Sequence, residues 1–120
     1  MKKLFLLIFL ITASLGHAQK GEDNTTYNLK QVDEAPAPEG TAFADYFKKN
    51  FKSTEKLAAP LQISFLVEKG GVVHDAKVFG EVSPAVSKEA IRVIKSLKKW
   101  KPGKKGGKAV RVRYTATINL

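Results

Sequence analysis

The sequence predicts an α+β fold in which a small three-stranded antiparallel sheet packs against two helices. Alternation of apolar and polar residues with period two is typical of strands. It occurs on both sides of Gly70-Gly71 and again from Val110 to Leu120. An apolar stripe at helical spacing runs from Val86 to Leu97. A chain of 120 residues, 43% of them hydrophobic, suffices for one such domain.

The N-terminus has the pattern of a secretory signal peptide. Two lysines precede an apolar run over residues 4–15, and Gly16 and Ala18 supply small residues for a cleavage site. The alternative is an uncleaved membrane anchor, but this run is shorter than the roughly 20 residues that a spanning helix needs. We therefore predict that residues 1–18 are removed on export and that the mature protein does not span the membrane.

A polar segment follows the predicted signal peptide. Residues 19–40 include Ala35-Pro36-Ala37-Pro38 and have almost no apolar side chains to bury. This composition predicts a flexible leader that is disordered or extended. The globular domain is then expected to span residues 41–120.

The predicted mature chain is basic, and its charge is unevenly placed. Residues 19–55 carry five basic and seven acidic side chains, whereas residues 56–120 carry fourteen basic and four acidic ones. Such a charge raises encounter rates with acidic proteins, lipid or lipopolysaccharide surfaces and nucleic acid, without choosing among them. Because the chain carries an export signal, we predict no nucleic-acid partner.

The sequence offers little for catalysis or metal binding. It has no cysteine, which excludes a disulfide, a thiol nucleophile and a thiolate metal site. His74 is the one histidine left after signal cleavage, and alternation places Asp75 beside it on the opposite face of the strand. We predict no enzyme activity, metal or cofactor. The enzymatic alternative would need a carboxylate pair, such as Asp75 and Glu81, close together in a cleft.

A short helix is predicted over residues 41–51. Phe43, Phe47 and Phe51 lie four residues apart and share one helical face. Thr41 is the predicted cap, since threonine oxygens accept hydrogen bonds from free amides at a helix start. We interpret the aromatic stripe as packing and not as a ligand site.

The next two strands are predicted to form an antiparallel hairpin. Every second residue from Leu61 to Val67 is apolar, so these side chains share one buried face. Gly70-Gly71 can adopt the positive φ angles of a tight turn, and the chain resumes over residues 72–79.

The second helix is predicted to begin between Ser83 and Ser87 and to end at Pro102-Gly103. Serine oxygens cap helix starts, and Pro84 is tolerated in a first turn. Its apolar stripe is expected to lie across one face of the sheet. The following residues 104–108 are basic and rich in glycine but lack the strand-to-helix context of a phosphate-binding loop. We interpret them as a solvated turn.

The last strand is the clearest in the sequence. Apolar residues alternate from Val110 to Leu120 and are expected to complete the core. The other face presents Arg111, Arg113, Thr115, Thr117 and Asn119.

A specific motif lies between the second helix and this strand. It reads Trp100-Lys101-Pro102-Gly103 and is followed by Gly107-Lys108, Val110 and Tyr114. Weaker matching positions are Gly40, Lys49-Asn50, Ile63-Ser64-Phe65, Val67, Gly71, Val78, Pro84, Val86, Glu89-Ala90 and Val93. In this order and spacing, residues 40–120 resemble the C-terminal domain of TonB-type energy transducers, in a stand-alone secreted form. We expect the motif residues Trp100, Pro102, Gly103 and Gly107 to be structural, with Trp100 packed under the sheet end and Pro102-Gly103 reversing the chain.

The resemblance implies a periplasmic, non-enzymatic binding module with a role in TonB-dependent transmembrane transport. Its partner would be the TonB box, a short peptide of an outer-membrane transporter, added to the edge of the last strand. The partner-binding residues so implied are Val110, Arg111, Val112, Arg113, Tyr114, Thr115, Ala116 and Thr117. The alternatives are that a homodimer or the leader covers this edge, or that related transducer components bind there.

The chain differs from a full energy transducer in two respects. A short signal peptide is predicted in place of an uncleaved anchor, and only Pro36 and Pro38 are found in place of a long proline-rich spacer. By itself it is therefore not expected to transmit force from the inner membrane. A second hypothesis, from another class, is a basic envelope-binding protein that holds anionic glycan or lipid surfaces. Salt distinguishes the two, because binding by surface charge weakens steeply as ionic strength rises.

Overall fold

A computed structural model of the chain describes residues 24–120, so the predicted signal peptide, residues 1–18, and residues 19–23 of the leader lie outside the described part. In chain order the elements are β1 (Thr26–Asn28), a 3₁₀ turn (Leu29–Gln31), β2 (Ala37–Pro38), α1 (Phe43–Asn50), β3 (Leu61–Val67), β4 (Val73–Phe79), α2 (Pro84–Ser96), β5 (Trp100–Lys101), β6 (Gly103–Lys105) and β7 (Lys108–Ile118). Two helices and a mixed sheet make this an α+β fold, as predicted.

The main sheet has the strand order β1-β7-β3-β4, with β6 paired to β7 outside this path. The strands β7, β3 and β4 are antiparallel neighbours and correspond to the three predicted strands. The sheet is larger than predicted and not purely antiparallel, because β1 adds a parallel strand to β7 and β6 an antiparallel one. A separate two-stranded ladder joins β2 to β5.

The hydrophobic core lies between the helices and one face of the sheet. Its buried residues are Phe43, Phe47, Leu61, Ile63, Phe65, Val67, Val86, Ala90, Val93, Ile94, Trp100 and Ile118. The inward positions predicted for β3 are all in this set. Four positions of the predicted α2 stripe are in it as well, namely Val86, Ala90, Val93 and Ile94. The fifth, Leu97, is partly buried against the same core. The apolar periodicity therefore identified the faces that pack together.

The helix α2 begins where the sequence indicates and ends earlier than predicted. Ser83 is its N-cap, and the Ser83 Oγ accepts a hydrogen bond from the Val86 N–H at 3.1 Å, with Pro84 in the first turn. The helix ends at Ser96 and not at Pro102. The intervening segment includes β5, which pairs with β2 of the leader, and this distant partner could not be inferred from local sequence.

The helix α1 is shorter at both ends than the predicted helix over residues 41–51. Its N-cap is Ala42, which makes no side-chain capping bond. The Thr41 hydroxyl donates to the Ala42 carbonyl at 3.2 Å, so the predicted threonine cap is wrong. Phe43 and Phe47 are buried, in agreement with the interpretation of the aromatic stripe as packing.

The described part of the leader is folded against the domain, in contrast to the flexible segment predicted for residues 19–40. It contributes β1 and β2, and both Pro36 and Pro38 are buried. The Glu39 N–H donates to the Lys99 carbonyl at 3.1 Å. The composition was misleading because backbone pairing to an existing strand needs few apolar side chains.

Strict alternation fails in β4 at His74 and Asp75. Asp75 has a φ of 56°, and the register with β3 shifts between Ser64 and Leu66, which is the arrangement of a β-bulge. Both His74 and Asp75 are exposed, so the prediction that they lie on opposite faces is wrong.

The chain reverses into β7 at Gly106-Gly107 and not at Pro102-Gly103 as predicted. The two glycines have φ angles of 60° and 80°, in the left-handed region that tight hairpins use. Residues 104–105, predicted to belong to a loop, are part of β6. Gly103 serves a different purpose, because a Cβ at this position would lie 2.6 Å from the Val112 Cγ2. Glycine there allows β6 to approach the core side of β7.

Glu89 of α2 joins that helix to the segment after α1. One carboxylate oxygen accepts a hydrogen bond from the Lys52 N–H at 2.7 Å, and the Arg92 guanidinium donates to both oxygens at 2.7 and 2.8 Å. Arg92 also donates to the Asn50 carbonyl at 2.9 Å. The Arg92 side chain, and then the Lys52 amide, lower the pKa of Glu89 from 4.5 to about 2.

We expect Glu89→Gln to lower the free energy of unfolding by about 1 kcal/mol at neutral pH, since charge-assisted bonds become neutral ones. The folded pKa is the lower one, so the contribution of the carboxylate is complete above pH 4.5 and is lost as the pH falls towards 2. In urea unfolding, the gap between wild type and variant should therefore shrink below pH 4.5. A gap that stays constant through this range contradicts the assignment. Glu81→Gln is the matched control, because the Glu81 carboxylate makes no ion pair or hydrogen bond within residues 24–120.

Candidate functional site

The strand β7 has one edge that is only partly paired. On one side it pairs with β3, from Leu61↔Ile118 to Val67↔Val112. On the other side, called here the outer edge, β1 pairs with residues 111–113 in parallel orientation. Within the described chain, residues 114–118 have no strand partner at the outer edge. This stretch therefore carries backbone groups that no strand within residues 24–120 satisfies at the outer edge.

The side chains of β7 alternate between the core and the polar face of the sheet. Val110, Val112 and Ile118 are buried, and Tyr114 and Ala116 are partly buried against the core. On the polar face, Arg111 and Arg113 are partly buried, whereas Thr115 and Thr117 are exposed. This is the alternation that the sequence predicts as far as Ile118, where β7 ends, but Leu120, which was expected to complete the core, is 56% exposed. The binding of a partner by residues 110–117 remains a prediction.

Arg111 is held by a neighbouring carboxylate on the polar face. Its Nε donates to the Glu68 Oε1 at 2.8 Å, and His74 contacts the other oxygen of Glu68. Its guanidinium also donates to the Asn24 carbonyl at 3.3 Å. The hydrogen bond from Arg111, followed by that from His74, lowers the pKa of Glu68. Arg111 thus joins the turn after β3 to the segment that precedes β1.

Arg113 makes an equivalent set of contacts with the bulge in β4. Its guanidinium donates to the Asp75 Oδ2 at 2.6 Å and to the Asp75 carbonyl at 3.3 Å. It also reaches the Ser64 Oγ at 3.4 Å. The bond from Arg113 lowers the pKa of Asp75. The two arginines expected to select a partner are therefore already engaged with β3 and β4, and Thr115 is the more accessible side chain.

A recess opens where the leader turns away from the outer edge. It has a volume of about 350 Å³ and is lined by Asn28, Leu29, Lys30, Arg113 and Thr115. The 3₁₀ turn begins here, with the Asn28 side chain accepting from the Lys30 N–H at 2.9 Å. The recess thus lies at the junction between the paired and unpaired parts of the outer edge.

An aromatic cluster supports the core side of the outer edge. The Tyr114 ring stacks on Phe65 with 5.1 Å between centroids, and it meets the rings of Trp100 and Phe43 edge-on at 5.4 and 5.6 Å. Burial raises the pKa of the Tyr114 hydroxyl. Trp100 is buried, and its Nε1 has no hydrogen-bond partner within the described residues. The motif tryptophan therefore packs beneath β3 and β7.

The remaining motif residues shape the hairpin that leads into β7. Gly103 permits close contact with Val112, and Gly107 occupies the turn with positive φ. Pro102 lies between β5 and β6. These positions have packing and conformational roles within the described structure.

Other features of the described chain concern metal ligation, membrane spanning and a surface groove. Within residues 24–120, no group of three or more His, Cys, Asp or Glu side chains could hold a metal ion. No helix in the same range is both long and apolar enough to cross a bilayer. A groove of about 800 Å³ between the end of α1 and the C-terminus is lined by Lys48, Phe51, Leu57 and Leu120, among others.

The described fold is a small α+β domain in which the strand β7 has a partly unpaired edge. The family model described as Gram-negative bacterial TonB protein C-terminal matches residues 54–119. The match covers more than half of the chain, which therefore belongs to this family. Searches of the curated proteins and of the solved structures found no match.

Family membership has consequences for role and for location. TonB C-terminal domains are periplasmic protein-interaction modules of Gram-negative bacteria, and they serve transport through interaction with outer-membrane transporters. The matched range includes β3 to β7 and leaves out the leader strand β1. Sequence reasoning thus identified the family and the last strand, but it missed the partners Glu68 and Asp75 and the pairing of β1. The β1 segment, Thr26–Asn28, contains β-prone threonine and tyrosine, which was the one available signal.

Proposed function

We propose that this protein is a non-enzymatic periplasmic module that binds TonB-box peptides of outer-membrane transporters by strand addition to the outer edge of β7. Export follows from the predicted cleaved signal peptide, residues 1–18. The supporting observation is the unpaired outer edge at residues 114–118. A peptide strand laid there would satisfy backbone N–H and C=O groups and extend the sheet.

The dimensions of the edge suit a short peptide. Five residues of strand span about 16 Å at roughly 3.3 Å per residue. The recess beside Thr115 has room for a side chain of the added strand, with a volume of about 350 Å³. Val110, Val112 and Ile118 fix the core side of β7, so binding would need little reordering of the strand.

Backbone pairing can be tested with two peptides of identical sequence taken from a transporter of the same organism. One carries N-methyl groups at the odd positions and the other at the even positions. A strand added at one edge donates only alternate N–H groups, so one methylated peptide should bind like the parent and the other at least about 10-fold more weakly. Fluorescence anisotropy with the mature protein, residues 19–120, measures the three affinities.

The two methylated peptides carry equal charge and are each other's control. Equal binding of both would overturn strand addition, and so would the failure of every transporter peptide to bind. A second copy of this chain is another proposed occupant of the outer edge, and pairing of two outer edges would produce a dimer. Sedimentation of the protein alone at the same concentrations tests for that dimer. Related transducer components are the remaining class of proposed partner. Peptides from these components are tested in the same anisotropy assay.

One observation supports the alternative of binding to anionic envelope surfaces. The eight lysines between residues 88 and 108 are all exposed, and none forms an ion pair within the described chain. Binding to anionic vesicles or lipopolysaccharide through these lysines would weaken steeply between low and physiological salt, whereas backbone pairing would change little. The same anisotropy assay at two salt concentrations distinguishes these outcomes.

A further inference from the structure

The outer edge of β7 already carries one strand, and that strand comes from the leader. Thr26 is opposite Arg111, Tyr27 opposite Val112 and Asn28 opposite Arg113, all in parallel register. The leader thus occupies the end of the outer edge that adjoins residues 114–118. A peptide long enough to pair with the whole edge would meet β1 in its path.

Polar and backbone contacts hold the leader against the β6–β7 hairpin. The Asp33 Oδ2 accepts a hydrogen bond from the Gly106 N–H at 2.7 Å. Glu34 and Lys104 exchange backbone hydrogen bonds at 2.9 and 3.1 Å. The Lys105 ammonium donates to the Gln31 carbonyl at 3.1 Å. Residues 31–34 of the leader therefore lie against the β6–β7 hairpin.

Little apolar burial holds β1 itself. Thr26 and Asn28 are exposed and Tyr27 is only partly buried, in a strand of three residues. The Lys105 ammonium lies 5.8 Å from the centre of the Tyr27 ring. A short strand with exposed side chains, attached through backbone and polar contacts, is among the first segments of a domain to open. We therefore expect β1 to leave the outer edge while the core, and the later part of the leader, remain folded.

We propose that β1 is an internal ligand of the outer edge, which a docking peptide displaces by pairing parallel to β7 in its place. This inference rests on the proposed function. It also specifies the partner: a segment that pairs parallel to β7 and then turns back, so that a carboxylate about five residues after the paired stretch reaches the β6–β7 turn. In the leader, Asp33 stands at this distance after Asn28 and reaches the Gly106 N–H.

A reversible crosslink between β1 and β7 tests displacement. Thr26→Cys with Arg111→Cys places two thiols on paired residues of adjacent strands, which are about 4.8 Å apart. This spacing lies within the range that a disulfide spans, and the native chain has no cysteine to compete. The reduced and oxidised forms have the same sequence, and both lack the Arg111 contacts. The reduced form is therefore the matched control, because the two forms differ only in the disulfide.

The affinity for a transporter peptide is measured on both forms of the double variant. We expect the oxidised form to bind at least about 10-fold more weakly than the reduced form, since the parallel position is blocked. Equal affinities would overturn displacement while leaving strand addition intact. If neither form nor the wild-type protein binds, the proposed function fails and the inference fails with it.

A second pair of variants tests the acidic anchor without altering β7. Asp33→Asn weakens the bond to the Gly106 N–H, whereas Glu39→Gln removes the same charge from a leader side chain with no hydrogen bond or ion pair within residues 24–120. Asp33→Asn should tighten peptide binding several-fold, because the internal ligand competes less well, and Glu39→Gln should leave it unchanged. Equal effects of the two variants on peptide affinity would mean that net charge causes the change. That result would contradict the proposal that Asp33 anchors the leader.

Discussion

Phe65→Ala is expected to lower the free energy of unfolding by about 3–5 kcal/mol, the range for removing a fully buried phenylalanine. Phe65 is 0% exposed at the centre of β3. Its ring meets those of Tyr114, Trp100 and Phe43 at centroid distances of 5.1, 5.3 and 5.4 Å. Loss of the ring would leave a cavity beneath β7. The whole free energy of unfolding of a small domain is only about 5–15 kcal/mol.

The adjacent strand offers a matched control for this substitution. Phe79 of β4 is 49% exposed, and Phe79→Ala removes the same atoms from a surface position. We expect a cost below about 1 kcal/mol there. Urea unfolding of both variants gives the comparison. Similar losses for the two would contradict the placement of the core between the helices and the inner face of the sheet.

Gly71→Ala is expected to lower the free energy of unfolding by about 2–6 kcal/mol. Gly71 has a φ of 87°, where an L-residue is strained by about 1–3 kcal/mol. A Cβ at this position would also collide with the Trp100 carbonyl, which is backbone and cannot swing away. Such overpacking adds about 1–3 kcal/mol. The β3–β4 turn and the β5 segment would both have to shift.

A second glycine separates strain from collision. Gly80 has a φ of 94°, close to that of Gly71, but a Cβ there would meet nothing within 4 Å. Gly80→Ala should therefore show the strain alone, and Gly71→Ala should exceed it in the same unfolding assay. Equal losses of unfolding free energy in the two variants would contradict the claim that the Trp100 carbonyl leaves no room for a Cβ at Gly71.

The parts of the fold that bury apolar side chains could be predicted from local sequence. Alternation from Leu61 to Val67 and the stripe of α2 each identified a buried face, because apolar periodicity follows the geometry of the element. The ends of elements were less predictable. The helix was expected to reach Pro102, but it ends at Ser96 because the next segment pairs with the leader, a partner distant in sequence.

The candidate site was predictable in outline but not in its polar contacts. Alternation placed Arg111 and Arg113 on the polar face of β7 correctly. Their engagement with Glu68 and Asp75 depends on strand register and on the bulge at Asp75, neither of which has a clear local signal. The pairing of β1 was missed for a related reason, since backbone hydrogen bonds leave almost no trace in composition.

Backbone amide NMR of the mature protein, residues 19–120, titrated with a transporter peptide at physiological salt, tests the central claim most directly. Strand addition predicts shifts concentrated at residues 114–118 of β7. Displacement of β1 predicts, in addition, loss of the cross-strand contacts between β1 and residues 111–113. Peptides that produce no shifts along β7, or shifts only at the exposed lysines between residues 88 and 108, would contradict strand addition and favour binding by surface charge.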